Sequence, residues 1–247
     1  MSMNMNIGLQ LYTVRDVIGK DVEGVIKRVA DIGYKGVEFT YSPDQVDMYA
    51  EIVKKYSLEV VGAHIGLNEI ENNYDTVKNF ADKLGFKNIV IPWIADIDTA
   101  EKAIATAQKM EAVAQKLKAD GYTLGFHNHT VEYLPKLDGK TAIDIFLEEA
   151  PSLKHEIDVG WAFAAGANVV EYIKKMGDRV IIVHIKDVDD NKTPTEIGSG
   201  NVNMQEILQA AWDAGIKWGV VEQDSCINYE PLESIKVSYD YLLTINK

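Results

Sequence analysis

Short apolar stretches alternate with longer amphipathic stretches along the whole 247-residue chain. The apolar stretches have the length of buried strands and read, in order, IGLQLY, KGVEF, LEVVGAH, NIVIPW, TLGFHNH, KHEIDVG, RVIIVHIKD and WGVVEQ. The stretches between them have helical spacing, as in VEGVIKRVADIG and AEKAIATAQKMEAVAQKLKADG. Four end in a glycine that is typical of helix termination, namely Gly33, Gly85, Gly177 and Gly215.

This alternation of strands and helices requires a parallel sheet with crossover helices. Eight such units in 247 residues match the number and size of a closed (β/α)8 barrel. We therefore predict an α/β fold, a single-domain TIM barrel over residues 1–247. An open doubly wound sheet is the alternative, but no glycine-rich dinucleotide turn follows the first strand.

Polar side chains occupy alternate positions towards the ends of these strands, opposite the apolar residues. The positions with this parity are Gln10, Glu38, His64, His127, His129, Asp158, His184, Lys186 and Glu222. In a barrel, the carboxyl ends of the strands form the face that carries the active site. We therefore expect these groups to converge at the barrel mouth. His155 has the opposite parity to Asp158, and we predict a structural role for it.

Asp158, His184 and Glu222 end three consecutive predicted strands. Together, carboxylate and imidazole groups suit a divalent metal ion. The candidates for a fourth ligand, from the segment HNHTVE, are Glu132, His129 and His127. Considered alone, Asp158 could also be an ordinary turn residue. Considered alone, His64 could be an ordinary hydrogen-bonded polar group at a strand end. Matched groups at adjacent strand ends favour the metal site.

Charge and composition narrow the functions further. The net charge of -13 repels a phosphate backbone, and no basic stripe compensates for it, so we expect no nucleic-acid partner. The tripeptide HNH alone is too short to indicate a nuclease. No apolar run approaches the ~18 residues of a membrane span, and the N-terminal segment lacks a secretion signal. The single cysteine, Cys226, fits a reducing compartment, so we expect a cytoplasmic protein without membrane association.

A glycine-rich segment, EIGSGNVN, follows the seventh predicted strand and precedes the helical stretch MQEILQAAW. Backbone amides around Gly198, Gly200 and Asn201 would suit an anion such as phosphate. A plain flexible loop fits the same residues equally well. No phosphorylated substrate is therefore inferred.

The chain resembles the sugar phosphate isomerase/epimerase superfamily, the xylose-isomerase-like TIM barrels, over essentially its whole length. The motifs that carry the resemblance are GLQLYTVRD, GVEF, HNHTVEY, EIDVGW, VHIKD, EIGSGNVN and VVEQD, in this order. The resemblance implies a divalent ion, Mn, Co, Zn or Mg. Its implied ligands are Glu132, Asp158, His184 and Glu222, with His127 or His129 as the alternative to Glu132.

The resemblance also implies a metal-dependent sugar isomerase or epimerase that removes a proton next to a carbonyl group, through an enediolate. Glu132 and Glu222 are then each expected to act both as a metal ligand and as a base. His129 is expected to act as an additional acid or base. Substrate contacts are expected from Gln10, Glu38, His64, His127, Trp161 and Lys186. The implied partner is a small-molecule carbohydrate, and relatives in this superfamily also form homo-oligomers.

Several alternatives remain open at this point. The same site suits a dehydratase or lyase acting on a keto-polyol or a 3-keto-glycoside, and a non-catalytic sugar-binding barrel is a further alternative. Trp161 stands where some epimerase relatives have a substrate-binding histidine, so the same sugar specificity is not implied. Lys186 has an alternative role in an ion pair with Asp187 or Glu156.

Overall fold

Eight parallel strands form a closed barrel in the computed structural model, which describes residues 3–134 and 137–246. The strands are β1 (Asn6–Gln10), β2 (Gly36–Thr40), β3 (Glu59–His64), β4 (Asn88–Ile91), β5 (Thr123–His127), β6 (Lys154–Asp158), β7 (Val180–Ile185) and β8 (Trp218–Val221). Neighbours in the barrel follow the order of the sequence, and β8 closes the barrel on β1. Each strand overlaps the stretch predicted for it. The TIM-barrel prediction is confirmed, and the open sheet is wrong.

The connections between the strands are mainly helical. The helices are α1 (Arg15–Ile18), α2 (Val22–Ile32), α3 (Val46–Lys55), α4 (Leu67–Asn72), α5 (Tyr74–Leu84), α6 (Ala100–Ala119), α7 (Ala142–Glu149), α8 (Val159–Ala164), α9 (Val169–Met176), α10 (Met204–Asp213) and α11 (Pro231–Ile245). The glycines predicted to end α2 and α5, Gly33 and Gly85, have φ values of 121° and 78°. Glycine reaches this backbone region without the steric cost that a Cβ atom brings.

The alternation along the strands separates two environments. Outward-facing apolar residues such as Leu9, Val37 and Ile157 are fully buried in the core against the helices. Inside the barrel, Val61, Ile182 and Val220 form a small apolar cluster. Ile182 and Val220 come two residues before His184 and Glu222 on their strands, so the polar groups follow this cluster towards the carboxyl end.

A short antiparallel ribbon between Asp187–Val188 and Pro194–Thr195 follows β7, and the sequence pattern did not predict it. The ribbon precedes the glycine-rich segment and belongs to the loops at the barrel mouth. Among the described residues, no helix combines the length and apolar character that crossing a membrane requires.

Candidate metal and substrate site

Four side chains from β5, β6, β7 and the end of β8 come together at the carboxyl end of the barrel. They are His127, Asp158, His184 and Glu222, all buried, and their ligand atoms lie within 4.8 Å of one another. We call these four residues the outer group. The structure thus brings together the three ligands expected at consecutive strand ends. His127, one of the candidates for the fourth ligand, completes the group.

The spacing of the outer group suits a common ion. His184 Nδ1 lies 3.1 Å from Glu222 Oε2, and His127 Nε2 lies 3.7 Å from the same oxygen. His127 Nε2 is 4.0 Å from Asp158 Oδ2. Two ligand atoms at ~2.1 Å from a tetrahedral zinc ion are about 3.4 Å apart. The observed distances therefore bracket those of a metal-binding site.

A second set of side chains shares two of these imidazoles. It consists of His64, His127, Glu156 and His184, which we call the inner group. Glu156 Oε1 lies 2.7 Å from His64 Nε2, 3.2 Å from His127 Nδ1 and 3.0 Å from His184 Nε2. Burial, and then the nearby Glu38 carboxylate, raise the pKa of Glu156 to about 7. His127 faces the outer group with Nε2 and the inner group with Nδ1. His184 faces the outer group with Nδ1 and the inner group with Nε2.

Gln10 and Glu38 support the inner group and do not line the cavity at the barrel mouth. Glu38 Oε2 accepts a hydrogen bond from Gln10 Nε2 at 2.9 Å and lies 2.6 Å from His184 Nε2. Both residues are fully buried. The structure thus places Glu38 against His184, and Gln10 against Glu38, below the cavity wall where substrate contacts were expected.

Lys186 is a fully buried ammonium group surrounded by carboxylates. Its Nζ lies 2.9 Å from Asp158 Oδ2, 3.0 Å from Glu222 Oε2 and 2.7 Å from Asp224 Oδ2. Burial alone would favour the neutral amine, yet Asp158 and Glu222 raise the pKa of Lys186 above its ordinary value. Lys186 therefore stays charged and holds these carboxylates in place. The Trp161 ring, 4.7 Å away, covers the ammonium.

Asp158 is oriented from both sides. Its Oδ1 accepts the backbone N–H of Trp161 at 2.8 Å and thereby caps α8, which leaves Oδ2 for the outer group. The Asp158 backbone N–H donates to Asn128 Oδ1 at 2.9 Å. Burial raises the pKa of Asp158 to about 6, against the opposing charge of Lys186. Asn128, the middle residue of HNH, therefore positions a predicted ligand.

His155 points away from both groups. Its Nε2 lies 3.0 Å from Asn128 Oδ1, and its Nδ1 lies 2.8 Å from the Tyr172 hydroxyl oxygen. Burial, and then the charge of Arg179, lower the pKa of His155 to about 3, so the ring is neutral. These contacts give His155 a place in the packing that supports Asn128.

Glu132 lies in a 3-10 turn formed by Thr130–Glu132, and it belongs to neither the outer nor the inner group. Its Oε2 accepts the backbone N–H of His129 at 2.7 Å. Within the described residues, Oε1 has no hydrogen-bond partner, and burial raises the pKa of Glu132. The structure thus brings His127, rather than Glu132, to the other three expected ligands.

A cavity of about 250 Å³ opens at the barrel mouth above the outer group. It is lined by Tyr12, Thr40, His64, Pro92, Trp93, His127, His129, Glu222 and Asp224. Burial, and then the charge of Lys186, lower the pKa of His129 to about 4, so its imidazole is neutral.

A larger surface groove, of about 460 Å³, lies between α9 and α10, away from every predicted site residue.

Glu156 and Asp224 were not among the site residues expected from the sequence. Glu156 lies two residues before Asp158 on β6 and therefore shares a face with an expected ligand, whereas Asp224 lies beyond the end of β8. Trp93 follows β4 in a loop, where strand parity carries no information. Its place in the cavity wall depends on the tertiary structure alone.

The glycine-rich segment does not offer free amides to an anion. Asp187 Oδ2 accepts the backbone N–H groups of Gly198 and Gly200 at 2.9 and 3.0 Å, and Oδ1 accepts that of Val202 at 3.0 Å. A carboxylate of the chain itself therefore occupies the place expected for phosphate.

The alternative ion pair of Lys186 with Asp187 or Glu156 is wrong. The three carboxylate partners of Lys186 are Asp158, Glu222 and Asp224.

The donor set fits a divalent metal ion. Four carboxyl groups of the site, those of Glu38, Glu156, Asp158 and Glu222, are fully or nearly fully buried, whereas Lys186 is the one buried lysine among the described residues. Buried charge of one sign is costly unless it is neutralised. Imidazole nitrogens and carboxylate oxygens are also the ligands that zinc and related ions prefer.

Comparison with known proteins agrees with this geometry. The xylose isomerase-like TIM barrel family matches residues 26–242. The chain belongs to this family. The resemblance inferred from the sequence motifs is therefore confirmed. No curated protein matches the chain.

Several solved structures share the fold at low sequence identity. A sugar phosphate isomerase/epimerase from Parabacteroides distasonis is 23% identical, with a TM-score of 0.87 over 99% of this chain and 100% of that one. A 3-keto-D-glucoside 4-epimerase from E. coli is 15% identical, with a TM-score of 0.77 over 98% and 100%. A family 2 AP endonuclease from Brucella melitensis is 17% identical, with a TM-score of 0.78 over 98% and 100%.

Proposed function

We propose that this xylose isomerase-like barrel is a metal-dependent sugar isomerase or epimerase. The observation that carries the proposal is the outer group, in which His127, Asp158, His184 and Glu222 meet within 4.8 Å beside a cavity. Buried ionisable groups that converge on a cavity are typical of an active site. The sugar isomerases and epimerases among the structural neighbours support the same reaction class.

The outer group would hold a divalent ion, with His127 in the position expected for Glu132. When bound, such an ion supplies Lewis-acid polarisation of a substrate carbonyl group. Glu132 instead fixes the backbone of His129 through its hydrogen bond at 2.7 Å. This places His129 at the cavity wall without a third carboxylate, beside Asp158 and Glu222, in the metal site.

Proton transfer falls to two residues that line the cavity, Glu222 and His129. Glu222 takes a proton from the carbon next to the carbonyl group, and Lys186 holds its Oε2 at 3.0 Å. His129 exchanges a proton with the other side of the substrate through its imidazole. The His129 imidazole is neutral and lines the cavity, which suits this exchange.

Tyr12 and Trp93 provide the apolar part of the cavity wall, and both are partly open to solvent, with 43% and 57% of their surface exposed. Aromatic rings offer a flat apolar surface together with a polar edge. We assign them to contact with the non-reacting face of the sugar. They also shield the outer group from water when the sugar is bound.

The proposed function predicts that proton exchange requires the ion. Elemental analysis of the purified protein should find a divalent metal. The metal-stripped and reloaded proteins are then incubated with ketoses and 3-keto-glycosides in deuterated water. We expect deuterium at carbon in the reloaded sample, and at least about a 10³-fold slower exchange in the stripped sample, because Lewis-acid stabilisation contributes several kcal/mol.

The products separate the remaining alternatives. An intact sugar that carries deuterium indicates isomerase or epimerase chemistry, whereas an ultraviolet-absorbing enone indicates a dehydratase or lyase at the same site. Tight sugar binding without any exchange in the metal-loaded protein would indicate a non-catalytic sugar-binding barrel. Exchange that is equally fast in the stripped protein would contradict the metal-dependent proposal.

A nuclease activity does not follow from the shared fold of the Brucella melitensis endonuclease. The net charge of this chain is -13, and the cavity wall includes the carboxylates of Glu222 and Asp224. Both features repel the phosphates of DNA. Among the described residues, neither a lysine nor an arginine lines the cavity.

We expect the sugar substrate to be unphosphorylated. The amides of Gly198 and Gly200 are already bonded to Asp187, and the cavity wall carries carboxylates. A ketose and its phosphorylated form are compared by isothermal titration calorimetry, with inorganic phosphate as a competitor. The phosphorylated form should bind no more tightly than the free sugar. Displacement of the sugar by inorganic phosphate would contradict this expectation.

A further inference from the structure

The inner group has no part in the proton transfers proposed above. Its centre is Glu156 Oε1, which lies between 2.7 and 3.2 Å from three imidazole nitrogens. Glu156 is fully buried, and within the described residues its Oε2 has no hydrogen-bond partner. A buried carboxylate is costly unless it is hydrogen-bonded or paired, so Glu156 depends on its contacts with the imidazoles.

The ring nitrogens of His127 and His184 show how the inner and outer groups are connected. His127 directs Nε2 towards Glu222 and Nδ1 towards Glu156. His184 directs Nδ1 towards Glu222, and Nε2 towards Glu156 and Glu38. A neutral imidazole carries its proton on one nitrogen only. If the nitrogen facing the outer group is bare, the N–H group points to the inner carboxylates.

We propose that Glu156 and Glu38 are positioning residues for the metal site. They accept the N–H groups of His127 and His184, and thereby fix the tautomer and the ring orientation in which His127 Nε2 and His184 Nδ1 are free to bind the ion. The inference rests on the proposed function, since it takes the outer group as the metal site. Partners of this kind hold metal-ligating histidines in many proteins.

Gln10 extends this arrangement to β1. It donates a hydrogen bond to Glu38 Oε2 at 2.9 Å, and the same oxygen lies 2.6 Å from His184 Nε2. Of the two carboxylates Glu38 and Glu156, only Glu156 contacts both shared imidazoles. Loss of Glu156 therefore affects two ligands of the ion, whereas loss of Glu38 affects His184.

A second ion in the inner group is the competing explanation, since its atoms also have ligand spacing. Filling both groups at once would require both nitrogens of His127 and of His184 to bind metal. Each ring would then have to lose the proton that a neutral imidazole keeps. The hydrogen-bonded arrangement needs no such deprotonation and accounts for the contacts of Glu156 Oε1 with His127 and His184.

Cobalt binding to the metal-stripped full-length protein tests the inference. Affinity is measured by competition with a chelator, and ligand geometry by the visible absorption spectrum of the bound Co²⁺. The wild type should bind one Co²⁺ per chain. Glu156→Gln should bind it about 10- to 100-fold more weakly and with an altered spectrum, because the two rings lose their common acceptor. Glu38→Gln should show a smaller loss.

Two further variants separate orientation from charge and from general destabilisation. Glu156→Asp keeps the negative charge but withdraws the carboxylate, so a positioning role predicts weak binding in this variant also. Glu111→Gln is the matched control. Glu111 accepts hydrogen bonds from the backbone N–H and hydroxyl of Ser152, at 2.8 Å each, on the outside of the barrel. Its loss should leave Co²⁺ affinity and spectrum unchanged.

The inference is overturned if Glu156→Gln and Glu38→Gln bind Co²⁺ like the wild type, or if Glu156→Asp does so. Two Co²⁺ ions per chain in the wild type, with one lost in Glu156→Gln, would overturn it in favour of a second metal site. If the wild type binds no divalent ion, the proposed function itself is wrong. This result can be distinguished from the other two. Should Glu156→Gln fail to fold, Glu38→Gln decides the test.

Discussion

Replacing Glu222 by glutamine is expected to lower turnover by about 10³-fold or more. Glu222 is a member of the outer group, it lines the cavity, and it contacts both His184 and Lys186. Glutamine has the same shape but lacks the charge that holds an ion and the basicity that accepts a proton. Initial rates of deuterium exchange, measured on the metal-loaded proteins, provide the comparison.

The matched control is Glu149→Gln, an exposed position at the end of α7. It makes the same chemical change on the outside of the barrel and should leave the exchange rate and the metal content unaltered. Metal analysis of both variants shows whether Glu222→Gln lost the ion or only the base. Full activity of Glu222→Gln would refute its assignment as both ligand and base.

Replacing Lys186 by methionine is expected to cause the largest loss of stability, about 3–5 kcal/mol of unfolding free energy in the metal-free protein. The ammonium group is fully buried and lies within 3.0 Å of oxygens of Asp158, Glu222 and Asp224. Methionine fills a similar volume but leaves these carboxylates facing one another without a cation. Urea denaturation with the metal-stripped protein measures the difference.

A divalent ion should restore part of the stability lost in Lys186→Met, because an ion that binds only the folded state adds about 2.7 kcal/mol at 100 times its Kd. The control is Lys83→Met, which removes a surface ion pair with Asp47, whose side chain is 78% exposed. Such pairs contribute little, so this variant should unfold like the wild type. Equal unfolding free energies for Lys186→Met and the wild type would show that the three carboxylates need no fixed cation.

The fold followed from the local pattern of the sequence. Eight apolar stretches with a two-residue period and intervening helical stretches predicted eight strands, and all eight form. In a parallel barrel, strands that are consecutive in sequence are also neighbours in space. Asp158 and His184 were therefore expected side by side, and their Cα atoms are register partners on β6 and β7.

The alternation of side chains between two faces stops where a strand ends. β5 ends at His127, and the chain then enters the turn Thr130–Glu132. Beyond the strand, side chains no longer alternate between two faces, so parity could not distinguish His127, His129 and Glu132 as the fourth ligand. The hydrogen bond from the His129 backbone to Glu132 turns that carboxylate to the backbone, and His127 alone of the three joins the outer group.

The sequence by itself determined the barrel, the face on which polar groups collect and three members of the outer group, because each depends on a short repeat within a strand. The tertiary structure decided which ring nitrogen faces which carboxylate and which three acids surround Lys186. It also decided that Asp187 accepts the backbone N–H groups of the glycine-rich segment. These contacts join atoms from separate strands and loops within about 3 Å. Their geometry is set by how the barrel closes and how the loops fold over it, which no local period encodes.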